Sequence, residues 1–196
     1  MKTHSNYRAF IYVTVSGGLI VAALFAYEFF YRYPIWNLRA FRVPSSSMCP
    51  SICSGERVFV EMLGQQEYVP KRGEVVAFKY GAESASLIKR VIGIPGDTVA
   101  PGPNDTILVN EQPWTPPTVC AKSPSPDGLP RDKSSYARFT QTKVPPGQIF
   151  VIGDNLYNSF DSRIPQFEPV TFDKVFGKPV LIYWSPEGTR IGCSIR

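Results

Sequence analysis

Histidine is almost absent from this sequence of 196 residues, and the single one, His4, lies in the N-terminal tail. A catalytic triad that activates serine through histidine therefore has no base in the rest of the chain. Zinc sites are built mainly from cysteine and histidine ligands, and the chain does not supply a set of them. We expect no metal site, no cofactor and no histidine-based triad.

Cysteine is also scarce, and the complete set is Cys49, Cys53, Cys120 and Cys193. Cys49 and Cys53 are one residue further apart than the cysteines of a CxxC redox or zinc motif. The cysteine count alone fixes no pairing. One or two disulfides and plain buried thiols therefore both stay open.

Dense runs of lysine and arginine are missing, although the formal net charge is +5. A positive excess without such a run suits anionic lipid headgroups better than nucleic acid. We therefore expect a lipid bilayer, and no nucleic acid, among the partners.

Long apolar runs are absent after residue 40, but the N-terminus contains one. Residues 9–27 carry no charge, and the apolar character continues to Tyr31. About 20 apolar residues span a bilayer as a helix. A cleaved secretory signal would have a shorter apolar core and a small-residue cleavage site, whereas this segment ends in AYEFFYRYP. The sequence predicts a tail at 1–8, one uncleaved anchor at 9–31 and a domain at 32–196.

The residues that flank the predicted anchor are aromatic and basic. The aromatic ones resemble an interfacial belt: Tyr27, Tyr31, Tyr33 and Trp36. Basic residues occur on both sides, with Lys2 and Arg8 before the anchor and Arg32, Arg39 and Arg42 after it. The positive-inside rule therefore does not choose the orientation.

Helical periodicity is also missing after residue 40, where short β-branched runs bounded by turn residues predict strands. These runs are 56–62, 73–80, 86–94, 105–114, 148–154 and 178–184. The 19 prolines and 15 glycines favour short elements joined by turns. Residues 113–147 are rich in proline, serine and charge, and we expect them to form an excursion over the surface.

Three segments carry possible chemistry, although each alone has an ordinary structural interpretation. The first is VPSSSMCP at 43–50, the second is Lys89-Arg90 inside an apolar strand, and the third is GDNLYNSFDSR at 153–163. A serine hydroxyl is a poor nucleophile until a base takes its proton. A lysine can be that base if apolar burial keeps its amine neutral.

Lys89 is the lysine best placed for such burial. Because strand side chains alternate between faces, Lys89 shares a face with Leu87 and Val91, and Arg90 lies on the opposite face. On that face a network of charges could hold the strand: Arg90, Asp154, Asp161 and Arg163.

In order and spacing, these segments resemble the motifs of type I signal peptidases, which remove signal peptides from exported proteins. PSSSMCP is similar to the family's PS-x-SM-x-P box, and KRGEVVAF to its RGD-x-VVF box. IKRVIGIPGDTV is similar to KR-x-x-G-x-PGD, and GDNLYNSFDSR to GDN-x-x-x-S-x-DSR. The resemblance runs from about Phe41 to Gly177.

The resemblance implies a role for each matching residue. Ser47 would be the nucleophile and Lys89 the general base. Ser45 and the backbone N–H of Ser47 would form the oxyanion hole, and Ser159 would hydrogen-bond the lysine amine. Structural ion pairs behind the site would come from Arg90, Asp154, Asp161 and Arg163.

The family fold is all-β, and here it would consist of coiled antiparallel sheets preceded by one N-terminal transmembrane helix. The resemblance also implies a catalytic domain outside the cytoplasm. Together with the one predicted anchor, this gives a single-pass protein of the inner or plasma membrane. The substrates would be preproteins bearing signal peptides, cut after small residues at the first and third positions before the scissile bond. No cofactor or metal would be needed.

Three positions depart from the family motifs, and none of them belongs to the proposed dyad: Leu156 is often arginine, Ser46 is often glycine and Glu74 is usually aspartate. A compact chain with one anchor also leaves room for a dedicated relative that matures a substrate such as a conjugative pilin. Two other classes stay open as alternatives, namely an accessory protein of the envelope and a self-cleaving regulator.

Overall fold

The computed structural model describes residues 20, 21, 27, 37–64, 68–82, 85–115 and 139–195. The chain divides into two compact units, residues 1–38 and 39–196. Of the predicted anchor, the described residues include Ile20, Val21 and Tyr27 alone, and its remainder lies outside them. Within the described residues, no helix has the length and apolar character needed to cross a membrane. The transmembrane helix therefore stays a prediction.

The described residues after 37 form antiparallel β-structure, as predicted, with two 3₁₀ turns at Pro103–Asp105 and Phe172–Lys174. The strands are β1 Leu38–Arg42, β2 Arg57–Met62, β3 Val75–Tyr80, β4 Ala85–Gly93, β5 Thr98–Pro101, β6 Ile107–Val109, β7 Gln112–Pro113, β8 Thr142–Lys143, β9 Gln148–Ile152, β10 Val170–Thr171 and β11 Val175–Trp184. One sheet has the order β1-β2-β11-β3-β4-β9-β10, and the other has the order β7-β6-β5-β8.

The strands predicted from apolar periodicity are confirmed where the pattern was strongest. In β2, Val58 and Val60 are fully buried, while Arg57 on the opposite face is exposed. The predicted turn after β4 is also present, since Asp97 N–H donates to the Ile94 carbonyl at 2.9 Å. Gly96 lies there at φ +90°, a conformation that glycine adopts without steric cost.

The surface excursion predicted for 113–147 is wrong at its C-terminal end. β8 pairs with β5 and joins the smaller sheet. Phe139 and Val144 beside it are 7% and 3% exposed and pack in an apolar cluster. Burial against β5 outweighs the polar composition of this short segment. Residues 116–138 of the predicted excursion lie outside the described residues.

Strand β4 runs through the middle of the larger sheet and contributes to three apolar clusters. Leu87 and Val91 pack in one cluster, Ile88 in a second and Ile92 in a third. Because both faces of β4 are covered, the charged side chains of this strand are forced into apolar surroundings. This packing sets the position of the candidate site.

One edge of β4 is partly open. On one side β3 pairs with residues 85–90 of β4, but on the other side β9 pairs with it only from Arg90 onward. Within the described residues, positions 85–89 therefore have no strand partner on that side. An open edge of this kind can accept an extended peptide as an added strand.

Candidate active site

The serine-rich segment 43–50 forms a tight turn between β1 and β2. Cys49 N–H donates to the Ser46 carbonyl at 3.1 Å, and Ile52 N–H donates to the Met48 carbonyl at 2.9 Å. Met48 is 2% exposed and anchors the turn in the apolar cluster below it. Ser47, the preceding residue, is partly exposed. The buried Met48 side chain thus fixes the turn, and the Ser47 hydroxyl stays accessible.

The same turn is closed by a disulfide between Cys49 and Cys53. Cys193 is disulfide-bonded as well, to a partner outside the described residues. The sequence left both disulfides and free thiols open, and the structure has disulfides at these positions. The link between Cys49 and Cys53 begins two residues after Ser47, so it restricts the backbone that carries this hydroxyl.

The 153–163 segment holds the serine turn from the opposite side. Asn155 N–H donates to the Ser47 carbonyl at 3.0 Å, and the Asn155 side chain donates to the Ser46 carbonyl at 3.2 Å. Gly153 approaches so closely that an added Cβ would lie 2.2 Å from the Ser47 carbonyl oxygen. Any side chain at 153 would therefore displace the turn.

Lys89 reaches the serine turn from β4. Its Nζ lies 2.7 Å from Ser47 Oγ, although the two residues are 42 positions apart in the chain. The residue is 3% exposed. The two residues predicted to form a dyad are therefore within direct proton-transfer distance of each other.

The surroundings of Lys89 act on its pKa. Burial disfavours the charged ammonium form and lowers the pKa from 10.5 to about 8. The charge of Asp161 opposes this effect, that of Arg163 adds to it and that of Asp154 opposes it. A lysine with a pKa of about 8 has a usable neutral fraction near neutral pH. An amine of this kind can act as a base.

Ser45 lies on the accessible side of the turn. Its Oγ is 3.2 Å from Ser47 Oγ, so the two hydroxyls are hydrogen-bonded. Among the described residues, nothing accepts a hydrogen bond from the Ser47 N–H. The Ser45 hydroxyl therefore lies beside the Ser47 hydroxyl, and the Ser47 N–H is a donor without an acceptor among these residues.

The hydrogen bond predicted between Ser159 and the Lys89 amine is not present. Ser159 Oγ is buried and has no hydrogen-bond partner among the described residues. It packs instead against Gly153, where an added Cβ would lie 2.3 Å from Ser159 Oγ. The Lys89 amine is engaged by Ser47.

The four charged residues predicted to lie behind the site form two separate ion pairs. Arg90 donates from Nε and Nη2 to the two carboxylate oxygens of Asp154, at 2.7 and 2.6 Å. Arg163 makes the same kind of bidentate interaction with Asp161, and both hydrogen bonds are 2.8 Å long. Asp161 also accepts from the Gly153 N–H at 3.0 Å. The Arg90–Asp154 pair ties the 153–163 segment to β4 next to the dyad, and the Arg163–Asp161 pair braces the segment internally.

A third buried ion pair was not predicted from the sequence. Arg190 Nε donates to Glu56 Oε1 at 2.7 Å, and its Nη2 donates to the Ser51 carbonyl at 2.8 Å. Glu56 Oε2 accepts from the Cys53 N–H at 2.7 Å. Arg190 and Glu56 together thus hold the backbone at Ser51 and Cys53, in the connection between the serine turn and β2. The partners are 134 residues apart, and no motif links them.

Replacing Arg190 with methionine should lower the free energy of unfolding by about 3–5 kcal/mol, because it leaves the Glu56 carboxylate buried and unpaired. A matched control is Lys174→Met, which removes a partly exposed pair with Glu168 at 3.6 Å. The control should lose no more than about 1 kcal/mol. Urea unfolding of the two variants measures the difference, and equal losses would contradict the assigned role of the buried pair.

A cleft of about 520 Å³ opens in front of the dyad. Its polar lining includes Ser45, Ser47 and Lys89. Its apolar lining consists of Phe41, Val43, Pro44, Met48, Val60, Ala77, Leu87, Ile88, Phe160 and Phe176. The open edge of β4 forms part of the wall, so an extended chain in the cleft can lie beside both the strand and the serine.

The family model described as "Signal peptidase, peptidase S26" matches residues 12–184 of the chain. The chain belongs to this signal peptidase family. It is accordingly a serine peptidase of the signal peptidase I type, and the resemblance seen in the motifs is confirmed. The match includes all three segments that carry the candidate site.

Individual signal peptidases are similar to this chain over most of its length. A signal peptidase I of Bacillus caldolyticus is 34% identical over 147 residues, which cover 72% of this chain and 77% of the relative. The signal peptidase I of Mycobacterium tuberculosis strain H37Rv is 28% identical over 217 residues, covering 85% and 71%. Against signal peptidase I T of Bacillus subtilis the match covers only 61% of the relative.

Among solved structures, the chain is similar to a signal peptidase I from Enterococcus faecalis. The identity is 28%, the TM-score is 0.42, and the match covers 58% of this chain and 98% of the other.

Proposed function

We propose that this signal peptidase is a membrane-bound endopeptidase that removes N-terminal signal peptides from exported preproteins, with Ser47 as nucleophile and Lys89 as general base. The observation that carries the proposal is the 2.7 Å distance between Lys89 Nζ and Ser47 Oγ in a buried position. A neutral amine at this distance can take the serine proton directly.

The chemistry then proceeds in two steps. Lys89 removes the Ser47 proton as the hydroxyl attacks the scissile carbonyl, and the resulting oxyanion accepts hydrogen bonds from Ser45 and from the Ser47 N–H. Lys89 next gives the proton to the leaving amine. Water then hydrolyses the ester on Ser47, with the lysine again acting as base.

The ion pairs and Ser159 would act through the position of the dyad. The Arg90–Asp154 ion pair fixes β4 at the position next to Lys89. The Asp161–Arg163 ion pair fixes the segment that contacts the Ser47 carbonyl. Ser159 would orient the lysine amine only after its hydroxyl turns away from Gly153. Because this hydroxyl has no hydrogen-bond partner in the described part of the chain, the rotation would not break a hydrogen bond there.

The substrate would lie as an extended strand along positions 85–89 of β4, where the edge is open. Its side chains would alternate between the two faces of the sheet. On the face of Ile88, the cleft has an apolar wall of Met48, Val60, Ala77 and Phe176. An apolar wall favours uncharged residues at the first and third positions before the cut, and the family resemblance implies that they are small.

The anchor at 9–31 would hold the enzyme in the inner or plasma membrane by a single pass, with the catalytic domain outside the cytoplasm. The support is the uncharged run of apolar residues and the preproteins that a signal peptidase must meet at the membrane. The relatives found are named as signal peptidase I, and no observation favours a dedicated pilin-maturing enzyme.

Two measurements test the proposal. Detergent-solubilised protein is incubated with a model preprotein, and mass spectrometry of the products should locate one cut after a small residue. In intact membrane vesicles, protease added to the cytoplasmic side should leave the catalytic domain whole. No cleavage by the wild type would refute the activity, and digestion from the cytoplasmic side would reverse the topology.

A further inference from the structure

Phe160 is an exposed aromatic side chain at the mouth of the cleft. It is 47% exposed and lines the cleft, whereas Val69, Trp184 and Ile191, which are also exposed and apolar, do not. Its neighbours in sequence fix its position: Ser159 is packed against Gly153, and Asp161 is fully buried in its ion pair. The backbone that carries the ring is therefore held by packed residues on both sides.

One side of the Phe160 ring is supported by other aromatic residues. Its ring centroid lies 5.8 Å from that of Tyr80 and 5.2 Å from that of Phe167, both at edge-to-face angles. The Tyr80 and Phe167 rings stack on each other at 4.6 Å. Phe160 is thus the exposed member of an aromatic group, and its open side can contact a ligand.

The location of this group relative to β4 decides which part of a substrate it can contact. Tyr80, Phe167 and Leu87 pack in the same apolar cluster, while Ile88 packs in another. Phe160 therefore lies on the Leu87 side of the open β4 edge. In a bound substrate strand, the side chains of the first and third residues before the scissile bond would face the Ile88 side. The side chain of the second residue would then face the Leu87 side, because strand side chains alternate.

We propose that Phe160 is a specificity-determining residue that contacts the side chain of the second residue before the scissile bond and favours an apolar or aromatic residue there. The inference rests on the proposed function, because it takes the position of the substrate strand from it. Contact between two apolar side chains removes both from water, and a polar side chain at the same place gains nothing from the ring.

The test uses the full-length protein in detergent and model preproteins that differ only in the second residue before the cut. The wild type should cleave the substrates with phenylalanine or leucine there with a kcat/KM about tenfold above those with serine or glutamate. Phe160→Ala should bring the four values close together. Phe160→Leu keeps an apolar contact and should retain the preference, and Phe160→Lys should shift it towards glutamate through charge attraction.

Val69→Ala is the matched control, because Val69 is 59% exposed but does not line the cleft. It should keep the wild-type preference. Equal kcat/KM values for the wild type on all four substrates would overturn the inference, as would an unchanged preference in Phe160→Ala and Phe160→Lys. In both cases the substrates are still cut, so the proposed function stands. Absence of any cleavage by the wild type would refute the proposed function and this inference together.

Discussion

Replacing Ser47 with alanine should lower kcat by at least about 10⁴-fold, because it removes the hydroxyl that is proposed to form the ester intermediate. The change removes one hydroxyl from a turn that is held by its backbone through Asn155 and by the buried Met48 side chain. Two side-chain hydrogen bonds are lost, with Lys89 and with Ser45, at a total cost of about 1–3 kcal/mol. The variant should therefore be inactive and folded, and preprotein cleavage together with thermal unfolding measures both properties.

Ser54→Ala provides the control for this change. Ser54 is exposed and lies in the same connection between β1 and β2, where its hydroxyl donates to the Pro44 carbonyl at 3.0 Å. Its loss should leave turnover within about threefold of the wild type, since surface substitutions away from special features have small effects. Normal turnover by Ser47→Ala would remove the nucleophile assignment.

Replacing Lys89 with arginine should lower kcat by at least about 10³-fold, although the positive charge is kept. General acid–base groups contribute about 10²–10⁴-fold, and the loss here also includes activation of the nucleophile. A guanidinium does not release its proton at any pH at which the protein is folded, so it cannot serve as a base. It is also larger than the amine, and position 89 is only 3% exposed. Single-turnover cleavage of a model preprotein measures the effect.

The control for the lysine is Lys143→Arg at an exposed position of β8, which should be tolerated. Because arginine could also distort the packed site, Lys89→Met gives a second variant that lacks a charge and fits the apolar surroundings. Both Lys89 variants should be folded and inactive. Substantial turnover by either one would exclude Lys89 as the base.

The position of Lys89 could be predicted from the sequence because the evidence is local. Strand alternation alone places Lys89 with Leu87 and Val91, and the structure buries Lys89 and Val91 fully and Leu87 partly. The long strands were found for the same reason, since apolar periodicity is a property of adjacent residues. The proximity of Ser47 and Lys89 came instead from the resemblance to a family, because no local pattern connects two residues 42 positions apart.

Other parts of the site depend on contacts that no local pattern records. Distant segments are joined by the ion pair between Arg190 and Glu56 and by the hydrogen bond from Asn155 to the serine turn. β8 was missed because its two residues lie in a polar stretch and become a strand only by pairing with β5. The hydrogen bond expected between Ser159 and Lys89 is not formed in the structure, because the close approach of Gly153 decides where that hydroxyl packs.

The proposed catalysis depends most on a buried amine that is neutral while the enzyme works, and the pH dependence of kcat/KM tests this directly. Burial lowers the Lys89 pKa from 10.5 to about 8, so the active neutral form increases as the pH rises through that value. From about pH 6, kcat/KM should increase about tenfold per pH unit and level off above about pH 8. A profile that is flat over this range, or that decreases as the pH rises, would contradict Lys89 as the general base for Ser47.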